Sequence, residues 1–290
     1  MPGPASGWGS IRQVDGSSSQ ATGPRRPAVP SSGSPSRPSS GPRLDEARRQ
    51  AFGGSFQTGG EHYDRVRPGY PADAVDWLLA AAPGAAQAAD VGAGTGKYTA
   101  ELLSRGLQVA AVDPSADMLA QLARKFRGVR TPIGTAERTG LPDASFDVVT
   151  VAQAWHWTDP LAASTELARI LRPGGLLGLV WNQLDVTVPW VPRLSRIMHA
   201  GDVHRPGFRP LVGPEFSGLE RHETHWCDPL TPAELIELAK SRSYYLRASE
   251  ATRAKVLANL AWYLHDHLDY EGTSVIQLPY YTQTWRAFRA

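Results

Sequence analysis

Short apolar runs recur through the middle of the chain at about 86–91, 107–112, 146–152 and 176–182, each bounded by Gly, Pro or Asp. Runs of this length and punctuation predict buried β-strands. Between them, the segments at about 97–105, 115–127 and 160–172 carry apolar residues at helical spacing. Ahead of the first strand, Pro71 followed by Ala-Asp-Ala-Val-Asp-Trp-Leu-Leu predicts a helix with proline in its first turn, ending at the Pro83-Gly84 break. Strands alternating with helices make βαβ units, and these stack into a parallel sheet covered on both faces. The expected class is a doubly wound α/β domain.

Beyond Asn182 the alternation stops. A helix is expected at about 190–200 and a strand at about 219–227. Two further helices follow: one opened by Thr231-Pro232 with Glu234 completing a capping box, and one at about 249–268. The stretch from Val275 to Phe288 reads as a closing strand. These late helices are expected to cap the sheet as part of one domain spanning 43–290, with halves at 60–183 and 184–290.

Composition narrows the setting. Of 290 residues 41% are apolar and 20% charged, and no run approaches the ~18 uninterrupted apolar residues of a membrane span. Cys227 is the single cysteine, which excludes an intramolecular disulfide and the usual cysteine-rich zinc sites and fits a reducing cytoplasm. Of residues 1–42, 26 are Gly, Pro or Ser, so this Arg-bearing tail is expected to be disordered; a nucleic-acid-binding arm is the alternative role. The first 50 residues carry a balance of +4 and the remaining 240 a balance of −2. The globular part therefore lacks a basic footprint for nucleic acid, and small molecules are the expected partners.

The candidate chemistry centres on Asp90-Val-Gly-Ala-Gly-Thr-Gly96, where a predicted strand gives way to a helix. Glycines in such a turn admit positive φ and bring the backbone close to a ligand at a helix N-terminus. A dinucleotide fingerprint would need glycine where Lys97 stands, and a P-loop would need glycine at Val91 and a hydroxyl at Tyr98. What remains is an acidic residue followed by three alternating glycines, with a second carboxylate, Asp113, at the tip of the next strand. A carboxylate there is placed to accept both ribose hydroxyls of a nucleoside. Asp90 either orders the loop or meets an ammonium group.

With these residues, the chain resembles the class I S-adenosylmethionine-dependent methyltransferases, in the small-molecule branch of the methyltransferase-11 type. The likeness also rests on Val112-Asp-Pro-Ser-Ala-Asp-Met118, Gly134-Thr-Ala-Glu137 with Leu141-Pro-Asp143, Ser145-Phe-Asp-Val-Val149 and Leu171-Arg-Pro-Gly-Gly175. It spans about 60–183 strongly and the remainder weakly. It implies a Rossmann-like sheet, mostly parallel with an antiparallel last strand and a helical C-terminal cap. It further implies S-adenosyl-L-methionine as cofactor, with Asp90, Gly92, Ala93, Gly94, Thr95 and Gly96 around its methionine portion and Asp113 on its ribose. Met118 would pack near the adenine. Thr135 stands where many relatives have an acid for the adenine amine; Ala136 and Glu137 serve instead, or Glu137 is a solvated loop acid. Gln153 completes the expected cofactor set.

The third predicted strand, at about 146–152, runs into Gln153-Ala-Trp-His-Trp157, two indoles flanking an imidazole. Trp155 and Trp157 either wall an acceptor pocket or pack under the cap, and His156 is a candidate acid–base group or a hydrogen-bonded spacer. Tyr63-Asp-Arg-Val-Arg-Pro-Gly-Tyr-Pro71 resembles the family's entrance strip, making Tyr63 a candidate to close on the methionine end and Arg67 on a carboxylate. Arg242 and the Tyr244-Tyr245 pair, Tyr245 in particular, are candidates for acceptor choice. No metal is expected, because neither His222 with His225 nor His265 with His267 puts both rings on one face. This Gln153-Ala-Trp-His run lacks the Asn/Asp-Pro-Pro-aromatic pattern of nucleic-acid amino-methylating enzymes. The Trp-His-Trp and Arg-Pro-Gly-Tyr-Pro elements are similar to the aconitate-methyltransferase-like subgroup. The expected activity is methyl transfer to a small organic molecule, a carboxylate oxygen first. A catalytically silent cofactor-binding regulator, or another acceptor class such as a phenol, amine or carbon acid, is the alternative.

Overall fold

The helix expected after Pro71 begins where proline predicts it: α1 spans Ala72–Leu79, with Pro71 extended as its N-cap and Ala74, Val75 and Leu78 buried. The computed structural model describes residues 64–200, 204 and 207–290. The tail over 1–42, the expected onset of order near Leu44, and Tyr63 lie outside the described residues.

After α1 come β1 (Gln87–Val91), α2 (Lys97–Ser104), β2 (Gln108–Val112), α3 (Ala116–Lys125), β3 (Phe146–Ala152), α4 (Pro160–Ile170) and β4 (Leu171–Leu184). β1 pairs in parallel with β2 and β3, and β3 with β4, as the alternating pattern predicts. Between α3 and β3 the chain adds single parallel bridges, Ala110 to Arg130 and Asp113 to Ile133. Pro132 and Gly134 interrupt that stretch, so it presents neither an apolar run in the sequence nor a continuous strand in the fold.

The second half supplies α5 (Val191–Met198), β5 (Phe216–Leu230), α6 (Pro232–Lys240), α7 (Ser243–Arg247), α8 (Glu250–Ala261) and β6 (Ile276–Arg289). The six strands form one sheet in the order β2-β1-β3-β4-β6-β5. β6 runs antiparallel to both β4 and β5 and lies between them. The capping box at α6 is present: Thr231 Oγ1 accepts from Glu234 N, and Glu234 Oε2 accepts from Thr231 N at 2.8 Å. The single helix expected over 249–268 is corrected. α8 ends at Ala261 and a wider π turn covers Trp262–His267. The cause is Tyr263, fully buried with its hydroxyl donating to Trp190 O at 2.6 Å, while Leu268 N reaches back five residues to Tyr263 O.

Alternate residues of the strands bury against opposite layers. Ala88, Val148, Leu176 and Val180 meet Val75 and Leu78 of α1 and Tyr98 and Leu102 of α2. Ala89, Val149, Leu177 and Leu179 meet Ala163 and Leu167 of α4 on the other face. At Gly178 an added Cβ would lie 2.5 Å from Leu78 Cδ2, so α1 rests directly on β4. The cap helices enclose a third cluster, in which Leu194, Leu235, Leu260 and Tyr263 pack on Leu184, Ile276, Leu278 and Tyr280 from the ends of β4 and β6.

Several of the motif residues act as fasteners. Asp147 Oδ2 accepts the Ala86 and Gln87 N–H groups, each at 2.9 Å, and Oδ1 meets Arg172. Arg169 bridges Glu166, Asp143 and the Leu141 carbonyl. These contacts tie the N-terminal ends of the strands, opposite the end where the glycine turn lies.

Candidate active site

The strand order reverses direction between β1 and β3, and the loops leaving those two strands diverge to form a crevice. The glycine turn leaves β1 and the Gln153–Trp157 turn leaves β3. They touch, because a Cβ at Gly92 would fall 2.5 Å from Ala154 Cβ. Gly92, Gly94 and Gly96 have φ of 72°, 54° and 88°, all left-handed. A Cβ at Gly96 would meet Leu122 Cγ at 2.8 Å, whereas one at Gly94 would meet nothing within 4 Å. Two of the glycines are thus required by packing, and the middle one borders open space where a ligand can approach the backbone.

Two carboxylates frame this turn. Asp90 is 0% exposed, accepting from the hydroxyls of Thr99 at 2.7 Å and Thr150 at 3.2 Å. Burial, with the neighbouring Asp113 adding to it, pushes its pKa up to about 6. Of the two roles expected for Asp90, its contacts are those of a loop-ordering group. Asp113 accepts from Gly94 N at 2.9 Å and Ser115 N at 2.8 Å, one bond to each oxygen. Burial raises its pKa while the two N–H groups oppose the rise. Each oxygen keeps a second lone pair, so the carboxylate can still accept a ligand hydroxyl.

The flanking positions divide. Thr95 donates to Asp64 Oδ1 at 2.8 Å, and Lys125 Nζ reaches the same oxygen at 2.7 Å, which pins the entrance segment to the turn. Ala93 and Met118 are buried beside it, with Ser115 Oγ capping α3 at Met118 N. Ala136 belongs to the core under α4. Glu137 accepts from Asp159 N at 2.7 Å, so its carboxylate secures the start of α4 and is not a freely solvated acid.

At the other side of the crevice Gln153 holds φ at 55°, unusual for a non-glycine residue. Its side chain donates to Asn182 O at 2.7 Å; Asn182 donates to Gly69 O and accepts from Thr282, both at 2.7 Å. This chain of bonds joins the ends of β3 and β4 and the middle of β6 to the entrance segment. Trp155 does not line the crevice surface: it is 5% exposed, in the core, with its indole N–H on Leu211 O at 3.1 Å. Trp157 is half-buried, its ring 4.6 Å from that of His156. His156 keeps accessible surface yet sits deep among protein atoms, the signature of a cleft wall. Its Nδ1 accepts from Trp181 Nε1 at 3.3 Å, and burial, with His204 adding to it, lowers its pKa to about 4.

Under the cap, Arg67 Nη2 donates to Ser241 O at 3.1 Å and Arg242 Nη1 to Ala200 O at 2.7 Å. Both guanidinium groups act electrostatically on Tyr280, whose buried hydroxyl lacks a hydrogen-bond partner. Burial pushes that phenol up to about 12, with Arg242 and Arg67 opposing and Asp228 assisting. Two residues 175 positions apart, Arg67 and Arg242, are therefore brought to one place. Tyr245 packs on the cap core with Arg253 over its ring at 5.6 Å. Its neighbour Tyr244 lines a separate groove of about 510 Å³ on the cap with Arg193, Arg196 and Lys255.

No group of three metal-ligating side chains occurs among the described residues. His222 pairs with Asp73 at 2.7 Å and His225 with Asp185 at 3.2 Å, each with its own acid. No helix among the described residues is long and apolar enough to cross a membrane. Sequence reasoning missed Asp64, Trp181, Asn182 and Tyr280. Only Trp181 and Asn182 carried a local signal, standing where the fourth apolar run ends.

Comparison with known proteins gives one answer. The profile described as a methyltransferase domain matches residues 89–179, from β1 to β4. An uncharacterized methyltransferase of Mycobacterium tuberculosis is 44% identical over 234 residues, covering 80% of this chain and 95% of the relative. An uncharacterized methyltransferase-like protein of Schizosaccharomyces pombe is 33% identical over 240 residues, covering 80% and 94%. The solved structure of a candidate type II methyltransferase from Anaeromyxobacter dehalogenans superposes with a TM-score of 0.54 at 28% identity, covering 77% of this chain and 96% of that one. The chain belongs to the methyltransferase family.

Proposed function

We propose that this protein transfers the methyl group of S-adenosyl-L-methionine to a carboxylate oxygen of a small organic acid. The residues suit that cofactor. The open crest at Gly94 leaves room for its methionine portion, and Asp113 has lone pairs for its ribose hydroxyls. When bound, the cofactor supplies an electrophilic methyl on a positively charged sulfur. The Gly92–Ala154 contact sets the turn carrying His156 and Trp157 against the glycine loop, where it shields the reacting atoms from water.

The acceptor class is supported by one observation: Arg242 and Arg67, each already held by a backbone carbonyl, both act electrostatically on Tyr280, whose buried hydroxyl lacks a hydrogen-bond partner. Two guanidinium groups and a phenol O–H form a donor set suited to a carboxylate. Such an acceptor attacks in line and releases no proton, so orientation and water exclusion provide most of the acceleration. The test is transfer of labelled methyl from S-adenosylmethionine to a panel of small carboxylic acids, phenols and amines. A base-labile methyl ester formed from an acid supports the reading. Transfer confined to phenols or amines overturns the acceptor class, and the absence of transfer alongside measured cofactor binding overturns the activity.

A further inference from the structure

We infer that His156 faces the acceptor as a neutral imidazole protonated on Nε2, a hydrogen-bond donor and not a base, and that Trp181 fixes it in that state. An indole N–H is a donor only. Because it points at His156 Nδ1 at 3.3 Å, that nitrogen carries a lone pair, and the single proton of the neutral ring must sit on Nε2. Charging the ring would place a second N–H against the indole N–H. Among the described residues, His204 is the titratable group that acts on His156, and it also disfavours a positive charge there.

His204 is set the opposite way. Gln283 donates through Nε2 to Glu223 at 3.0 Å, which turns its Oε1 toward His204 Nδ1 at 2.7 Å. His204 therefore carries its proton on Nδ1 and a lone pair on Nε2. Two imidazoles flanking Trp181 hold complementary tautomers, each dictated by a neighbour that cannot reverse its role.

The identity of the group that Nε2–H meets rests on the proposed methyl transfer. In that reaction an acceptor oxygen forms the bond to the methyl carbon, the carbon–sulfur bond breaks, and its electron pair stays on sulfur. A carboxylate acceptor is already ionised near neutral pH and needs no base at His156, and a donor beside it helps to hold and orient it. His156 then acts in binding, and its loss shows in KM before kcat.

The experiment is long-range ¹H–¹⁵N spectroscopy of the full chain labelled at histidine nitrogens, with His156 assigned through His156→Gln. From pH 5.5 to 8.5 we expect His156 protonated on Nε2 only and His204 on Nδ1 only. Trp181→Phe should release His156 from the single Nε2–H form to a mixture of the two neutral tautomers. In kinetics, His156→Phe should raise KM for the methylated acid at least tenfold, and His156→Gln, which retains an N–H donor, should recover part of that loss. A proton on Nδ1 of His156 in the wild type, or titration of its ring between pH 6 and 7, overturns the inference. If the Nε2–H state holds and no acid is methylated, the tautomer assignment stands and the acceptor reading above falls.

Discussion

Asp113 accepts the backbone N–H of Gly94 at 2.9 Å, so the carboxylate at the end of β2 holds the crest of the turn that follows β1. The group expected to read the cofactor ribose also shapes the loop around the methionine portion. Asp113→Ala removes both functions, and we expect S-adenosylmethionine binding to weaken by ~1.5–3 kcal/mol. Calorimetry giving wild-type affinity would remove Asp113 from the site.

The three glycines separate by substitution. Gly94→Ala adds a methyl into open space and carries only the left-handed backbone cost, ~1 kcal/mol of stability. Gly92→Ala drives its Cβ onto Ala154 and must displace the turn bearing His156. Thermal unfolding should rank Gly92→Ala well below Gly94→Ala, while both lose cofactor affinity. Equal melting temperatures would contradict the close contact.

Asp90 makes stability depend on pH. Its folded pKa of about 6 lies above the ordinary carboxyl value near 4, so the folded state binds the proton more tightly than the unfolded state. This contribution is fully present below pH 4 and is lost as pH rises to 6, a difference of order 3 kcal/mol. Asp90→Asn should therefore be more favourable to stability at pH 8 than at pH 4.5. Denaturant titrations of both proteins at both pH values test it, and a difference independent of pH would show that Asp90 is ionised without penalty.

Arg67→Gln and Arg242→Gln should each raise KM for an acid acceptor roughly tenfold or more, the scale of one charge-assisted hydrogen bond, with little effect on cofactor affinity. If only the cofactor dissociation constant moves, the two arginines belong to the other half of the site.

Glu137 separates a cap from a ligand contact. Its bond to Asp159 N predicts that Glu137→Ala costs ~1 kcal/mol of stability at the start of α4 and leaves cofactor affinity intact. A loss of affinity without loss of stability would instead assign Glu137 to the adenine.

The parallel half of the sheet was legible because Gly, Pro and Asp punctuate it, and β3 matches its apolar run from Phe146 to Ala152. The glycine turn was legible because its constraints are local. What escaped were relationships made by the fold across long separations: Tyr280 within electrostatic reach of two arginines, Trp181 on His156, Asn182 tying Gly69. Trp155 and Glu137 illustrate the converse. Residue type suggested chemistry for each, but an indole N–H on Leu211 O and a carboxylate on Asp159 N are backbone-securing bonds that no spacing rule exposes.

The position of β6 between β4 and β5 has a consequence for how the protein is made. During synthesis β5 and the cap helices emerge before the strand that joins them to the rest of the sheet. Until residues 276–289 leave the ribosome, the open edge of β4 has no partner, and Leu184 lacks the Ile276, Leu278 and Tyr280 side chains of its cluster. The nascent chain thus carries a sticky, half-built sheet from the completion of β4 at Leu184 until β6 emerges. A stop codon ahead of Ile276 would leave it permanently in that state, as a species for chaperones and proteases to clear.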